Sequence, residues 1–136
     1  MLSGSIASEG SGAGNIYLKL AVKNKSSQPC SIDGYPGVSL VGQGNGTQLG
    51  AAAGRDPDRP SKGAILLAVG DSAFAQLQYS RAENYGAACT LSPTDGFRVY
   101  PPSATDALYI ANPLNPINAC TQQNLVLLHI GAFQKS

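Results

Sequence analysis

The chain has 136 residues, of which 43% are hydrophobic and only 12% charged, with a formal net charge of +1. Its length suits one domain, residues 1–136. The balance excludes the clustered Lys and Arg that nucleic acid or an anionic membrane surface would require. A soluble domain ordinarily carries ~25% charged residues, so here the surface is made polar chiefly by Ser, Thr, Asn, Gln and Gly.

In chain order, the first element expected is a strand near Leu2–Ala7. The opening "MLSGSIASEG" has neither the basic start nor the apolar core of a signal peptide. Met1 is therefore read as an artificial start, and the sequence as an extracellular fragment of a longer exported chain. Strict alternation follows in "NIYLKLAVK" (15–23). Ile16, Leu18, Leu20 and Val22 share one face and Tyr17, Lys19, Ala21 and Lys23 the other, the pattern of a half-buried antiparallel strand.

Next comes "SIDGYPGVSL" (31–40). Asp33-Gly34 is a turn signal, Pro36 fixes φ, and Tyr35 before it is pushed towards extended geometry. The stretch reads as a corner braced by Tyr35 and feeding a strand over 37–42. "GQGNG" (42–46) reads as a hairpin tip. "GRDPDRPSKG" (54–63) reads as a crossover loop, in which Arg55 and Arg59 favour pairing with Asp56 and Asp58 over a calcium site. Asn24-Lys25-Ser26 and Asn45-Gly46-Thr47 match the glycosylation sequon.

"AILLAV" (64–69) and "SAFAQLQY" (72–79), with Gly70-Asp71 between them, read as a hairpin. Ala73, Ala75, Leu77 and Tyr79 share one face of its second strand. "FRVY" (97–100), "DALYIA" (106–111) and "NLVLLHIG" (124–131) complete the set. The last is apolar on both faces, which suits a central strand.

With 16 Gly and 9 Pro, no window sustains helical periodicity, and none holds the ~18–20 apolar residues of a membrane-spanning helix. The fold expected is all-β, an immunoglobulin-like antiparallel β-sandwich of about 7–9 strands, with a closed barrel as the alternative.

Catalytic chemistry finds little support. His129 is the one histidine, set among leucines, and reads as a core or edge residue rather than a base or ligand. Cys30, Cys89 and Cys120 lie too far apart in sequence for a zinc site. No nucleophile elbow or phosphate-cradling loop occurs. No enzyme activity, metal or cofactor is expected. Tyr17, Tyr35, Tyr85, Tyr100 and Tyr109 are the remaining candidates for contact with a partner. Among them Tyr35, Tyr85 and Tyr100 form the candidate interaction surface, since tyrosine suits interfaces.

Asn24, Cys30, "GYPGVS" (34–39), "LLAVGDSAFAQLQY" (66–79), Cys89 and "FRVYPPSATDAL" (97–108) together resemble a family of actinobacterial secreted proteins and lipoproteins built on a domain of unknown function. The likeness covers roughly residues 16–130, and Val69 departs from the proline usual there. The resemblance implies export to an oxidising compartment, an immunoglobulin-like sandwich, a lipid-anchored or membrane-tethered parent chain, and no established catalytic residues. It also implies a cysteine ahead of the first strand as partner for Cys30, which leaves a Cys89–Cys120 disulfide and a free Cys30. The function expected is a non-enzymatic extracellular or cell-envelope binding module, its partner an envelope protein, a glycan or a lipid. A structural or accessory domain is the alternative, and a hydrolase the third reading.

Overall fold

A computed structural model describes residues 2–102, 106–113 and 117–135. The strands among them are β1 (Leu2–Gly12), β2 (Asn15–Asn24), β3 (Cys30–Ile32), β4 (Gly37–Gly42), β5 (Thr47–Gln48), β6 (Gly54–Arg55), β7 (Ile65–Leu67), β8 (Ser72–Ser80), β9 (Leu91–Pro93), β10 (Gly96–Tyr100), β11 (Leu108–Ala111), β12 (Asn118–Cys120) and β13 (Leu128–Ile130). The fold is an all-β sandwich. A five-stranded sheet runs β1-β2-β8-β13-β6 and a four-stranded sheet runs β11-β10-β4-β5. Pairs β12-β9 and β3-β7 form two small accessory sheets. The strand number exceeds expectation because several pieces are only two or three residues long.

The core forms where period-two faces meet. Ile16, Leu18, Leu20 and Val22 of β2 are buried beside Ala73, Ala75, Leu77 and Tyr79 of β8. Direct neighbours include Leu18 with Leu77 and Leu20 with Ala75. From the other sheet, Val38 opposite Val99 and Leu40 opposite Phe97 join the same core. Burying a side chain of this size stabilises by about 1.5–3 kcal/mol, which makes these two faces the principal source of stability.

Three expectations are corrected. The segment 64–69 does not pair with β8: β7 pairs with β3, Cys30 facing Leu67. Asp71 N–H still closes a turn onto Ala68 O at 2.9 Å, but that turn carries the chain from one sheet into another instead of reversing it within one. Second, the apolar run 124–131 contributes only Leu128–Ile130 as strand. It does lie inside the sheet, with β8 antiparallel on one side and the two-residue β6 parallel on the other. Third, Ala82–Ala88 forms a short 3₁₀ segment broken at Gly86, whose φ is 53°. It is too short to show periodicity in sequence.

The N-terminal strand runs five residues beyond Ala7, with a bulge between Ser8 and Gly10. Residues 103–105, within the 97–108 stretch used for the resemblance, lie outside the described residues.

Candidate functional site

The outward face of the five-stranded sheet carries side chains in register. Tyr17 of β2 lies opposite Gln78 of β8, and Gln78 opposite His129 of β13. One step along, Lys19 lies opposite Gln76. Ala21 and Gln134 flank Phe74 in the next row. These residues point outward because their sequence neighbours fill the core, and every row joins segments far apart in sequence.

The loop after β6 overhangs this face. Asp56 N–H donates to Ile130 O at 2.9 Å, and Ala132 N–H donates to Arg59 O at 2.9 Å. The Tyr35 hydroxyl donates to Asp56 O at 3.1 Å, and Gln134 Nε2 donates to Pro60 O at 3.0 Å. The Ser61 hydroxyl donates to Asp33 Oδ1. Gly131 makes room for the loop, since a Cβ there would stand 2.9 Å from Arg59 Cβ. The loop is thus tied to the sheet, the Tyr35 corner and the C-terminal segment.

Two adjoining clefts result. The larger, about 290 Å³, lies between Lys19, Phe74 and Gln76 on the sheet and Asp58, Arg59 and Lys62 on the loop, with Glu9 at its border. The smaller, about 80 Å³, lies among Tyr17, Gln78, His129, Asp56 and Arg59. Both share Arg59 and Gln76, so they form one groove. Its electrostatics are mixed. The Lys19 ammonium sits 4.2 Å from the Phe74 ring centroid, a cation–π contact. The Arg59 guanidinium meets Asp56 at 3.6 Å, and Asp56 Oδ1 accepts from the Asp58 N–H at 2.9 Å.

The tyrosine candidates are not gathered. Tyr35 braces its corner through the Asp56 bond, with the Arg55 guanidinium 5.2 Å from its ring centroid. Tyr100, 41% exposed, ends β10 with Arg98 5.9 Å from its ring. Tyr85 packs against the core from the 3₁₀ segment. That segment follows Tyr79, whose hydroxyl bonds Asn118, whereas β10 runs away from the neighbouring Thr94–Ile117 contact towards Tyr100. Tyr85 and Tyr100 therefore occupy opposite ends of the sandwich. Neither cleft of the groove is lined by Tyr35, Tyr85 or Tyr100.

His129 is half-buried on the outer face, and Cys30 is half-buried in β3 of a different sheet, so the two form no pair. Among the described residues, no three His, Cys, Asp or Glu side chains gather as a metal site. Cys89 and Cys120 are joined by a disulfide, and Cys30 is free. The bond lies away from the last strand, β13. It joins the end of the 3₁₀ segment to β12, beside the Cys120–Leu91 pair of the β9–β12 sheet. Such a bond is compatible with an oxidising compartment.

Of the two sequons, Asn24 is only 1% exposed and its side chain is fully engaged, whereas Asn45 is exposed on the β4–β5 turn. Among the described residues no helix is long and apolar enough to cross a membrane.

An all-β sandwich bearing a preformed groove of mixed polar and apolar lining on one outer sheet face is the class these observations define. The chain belongs to the family described as a domain of unknown function, DUF4232, whose model matches residues 1–134. No curated protein and no solved structure gives a significant match.

Proposed function

We propose that this domain is a non-enzymatic binding module of an exported, envelope-associated chain, and that the groove on the five-stranded sheet holds its ligand. The observation that carries the reading is the Asp56–Lys62 overhang, fastened by main-chain and side-chain hydrogen bonds above outward rows of Tyr17, Gln78, His129, Lys19 and Gln76. A wall held in place before binding spares the ordering cost that a mobile loop would incur. The larger cleft lies at the bottom of the ~300–1,000 Å³ range of small-molecule sites. It therefore suits a small polar unit, or one unit of a longer polymer.

Apolar faces of Phe74, Pro60 and Ala132 beside amides, an imidazole and both signs of charge suit a glycan, whose ring faces and hydroxyls need both, better than a lipid tail, which would have to pass Lys19, Asp58 and Arg59. The Cys89–Cys120 disulfide is the support for placing the domain outside the reducing cytoplasm. An actinobacterial, lipid-anchored parent chain is part of the same proposal and rests on the motif resemblance.

The test is amide NMR titration of the isolated domain against cell-wall glycans, lipids and envelope proteins. A glycan should shift signals of Lys19, Gln76, Gln78 and His129, and Arg59→Ala should weaken binding while Tyr100→Ala leaves it unchanged. Shifts confined to the Tyr35 and Tyr100 end, or no binding by any glycan, would refute the groove.

A further inference from the structure

The tip of the β4–β5 hairpin carries the sequence's single Asn-Gly pair, Asn45-Gly46, followed by Thr47. Asn45 is exposed. Its side-chain carbonyl Oδ1 accepts from the Thr47 hydroxyl at 2.6 Å and from the Thr47 N–H at 3.2 Å. The second bond closes a ring of atoms that includes both Asn45 Cγ and the Gly46 backbone nitrogen. Gly46 has φ of 76° and no side chain to screen that nitrogen.

Two donors on Oδ1 withdraw electron density from Cγ. They also stand where they would hold the oxyanion formed when a nucleophile adds to that carbon. The ring keeps nucleophile and electrophile close, which is the entropic part of such a barrier. We propose that Asn45–Gly46 is a self-modification site, at which the folded protein deamidates through a cyclic imide.

The step balances without any redox partner. The Gly46 nitrogen loses its proton and forms a bond to Asn45 Cγ, placing negative charge on Oδ1 between the two Thr47 donors. Collapse of that intermediate breaks the Cγ–Nδ2 bond, and Nδ2 leaves with the proton as ammonia. Water then opens the five-membered imide at either carbonyl, leaving an aspartyl or an isoaspartyl residue at position 45.

The product alters the hairpin tip. A new carboxylate arrives in the same cleft as Asp95, whose Oδ2 already accepts from Gly44 N–H at 2.9 Å. The isoaspartyl form adds a methylene to the main chain ahead of Gly46, whose carbonyl accepts from Arg98 Nη1 at 3.2 Å. Arg98 Nε is buried and already lacks a partner, so losing the Gly46 contact leaves that guanidinium poorly satisfied. The modification is irreversible and lies on the sheet that does not carry the groove.

The experiment incubates the folded domain and a synthetic peptide of residues 42–49 side by side at mildly alkaline pH. Peptide mapping and isoaspartyl methyl transfer report the product. Conversion should concentrate at Asn45 and run at least as fast in the folded protein as in the peptide. Thr47→Val should slow the folded protein roughly fivefold to tenfold, the worth of one hydrogen bond, and leave the peptide rate nearly unchanged. Asn45→Gln should abolish the product. A folded protein slower than its peptide, or a Thr47→Val protein as fast as the parent, would overturn the proposal.

Discussion

Asn24 Nδ2 donates to the Leu67 carbonyl at 3.0 Å, a buried hydrogen bond across 43 residues of sequence. The same amide nitrogen donates to Gln28 O at 2.9 Å, and Oδ1 accepts from both the amide and the hydroxyl of Ser26. The Asn24 backbone donates to Asp71 O and accepts from Gly70 N–H. One residue at the end of β2 thus holds the β3–β7 sheet, the turn into β8 and the loop after itself. Leaving buried polar groups without partners costs about 1–3 kcal/mol. Asn24→Ala should destabilise by about 2–3 kcal/mol, and Asn24→Asp at least as much, because a carboxylate donates to neither carbonyl. Chemical denaturation midpoints measure this; no change in either variant would remove Asn24 from its linking role.

Cys89 and Cys120 are 31 residues apart and enclose β9 to β12. Closing a loop of that length should stabilise by about 3–4 kcal/mol in the chain-entropy account. The paired change Cys89→Ser with Cys120→Ser should lower the melting temperature by about that equivalent. Thiol labelling of the intact protein should find Cys30 alone.

The Tyr79 hydroxyl donates to Asn118 O at 2.5 Å and accepts from the N–H groups of Asn118 and Ala82. Burial pushes its phenol above the usual range, partly offset by those backbone bonds. The neutral phenol is therefore preferred in the folded state. Its contribution is complete below about 10, the ordinary tyrosine value, and declines as pH rises above it while the unfolded chain ionises first. Tyr79→Phe should cost about 1–3 kcal/mol at neutral pH and flatten the alkaline loss of stability. Parallel alkaline limbs in both proteins would contradict this.

Glu83 behaves in the opposite sense. The Asn118 amide donates to its carboxylate at 2.7 Å and holds its pKa below the usual range. That contribution is present above the unfolded value and is lost as pH falls through the lower folded one. Glu83→Gln should be slightly less stable than the parent at neutral pH, and the difference should vanish in acid. Both carboxylate and contact are exposed, so the effect is small.

Gly50 has φ of 76°, and a Cβ there would overlap the Cys120 carbonyl oxygen. Strain and overlap act together, so Gly50→Ala should destabilise by at least about 1–3 kcal/mol. Gly44→Ala, also at positive φ but with nothing nearby, should cost about 1 kcal/mol. Equal losses at the two positions would show that backbone strain alone decides.

The two long central strands were legible because Ile16 to Val22 and Ala73 to Tyr79 alternate without interruption. Gly70-Asp71 misled because turn chemistry specifies a local change of direction, not which strand the chain pairs with next. Leu66 and Leu67 are adjacent, yet one is 66% exposed and the other fully buried, a difference set by the β3 partner. The groove was illegible because His129, Gln78 and Tyr17 meet only through strand register, with 50 or more residues between His129 and its neighbours in that row. The tyrosines of the candidate interaction surface lie outside the groove, with Tyr35 and Tyr85 half-buried against the core.

The pairing of β2 with β8 has a consequence for synthesis. As the chain leaves the ribosome, β1 and β2 can form their hairpin at once, but the second edge of β2 has no partner until residues 72–80 emerge. For roughly 50 residues of elongation, several seconds at ordinary rates, the nascent hairpin shows an open edge, and its apolar face awaits full cover until β10 follows. A domain wired this way depends during that interval on a chaperone, or on remaining extended, and its yield should fall when translation is slowed between those two segments.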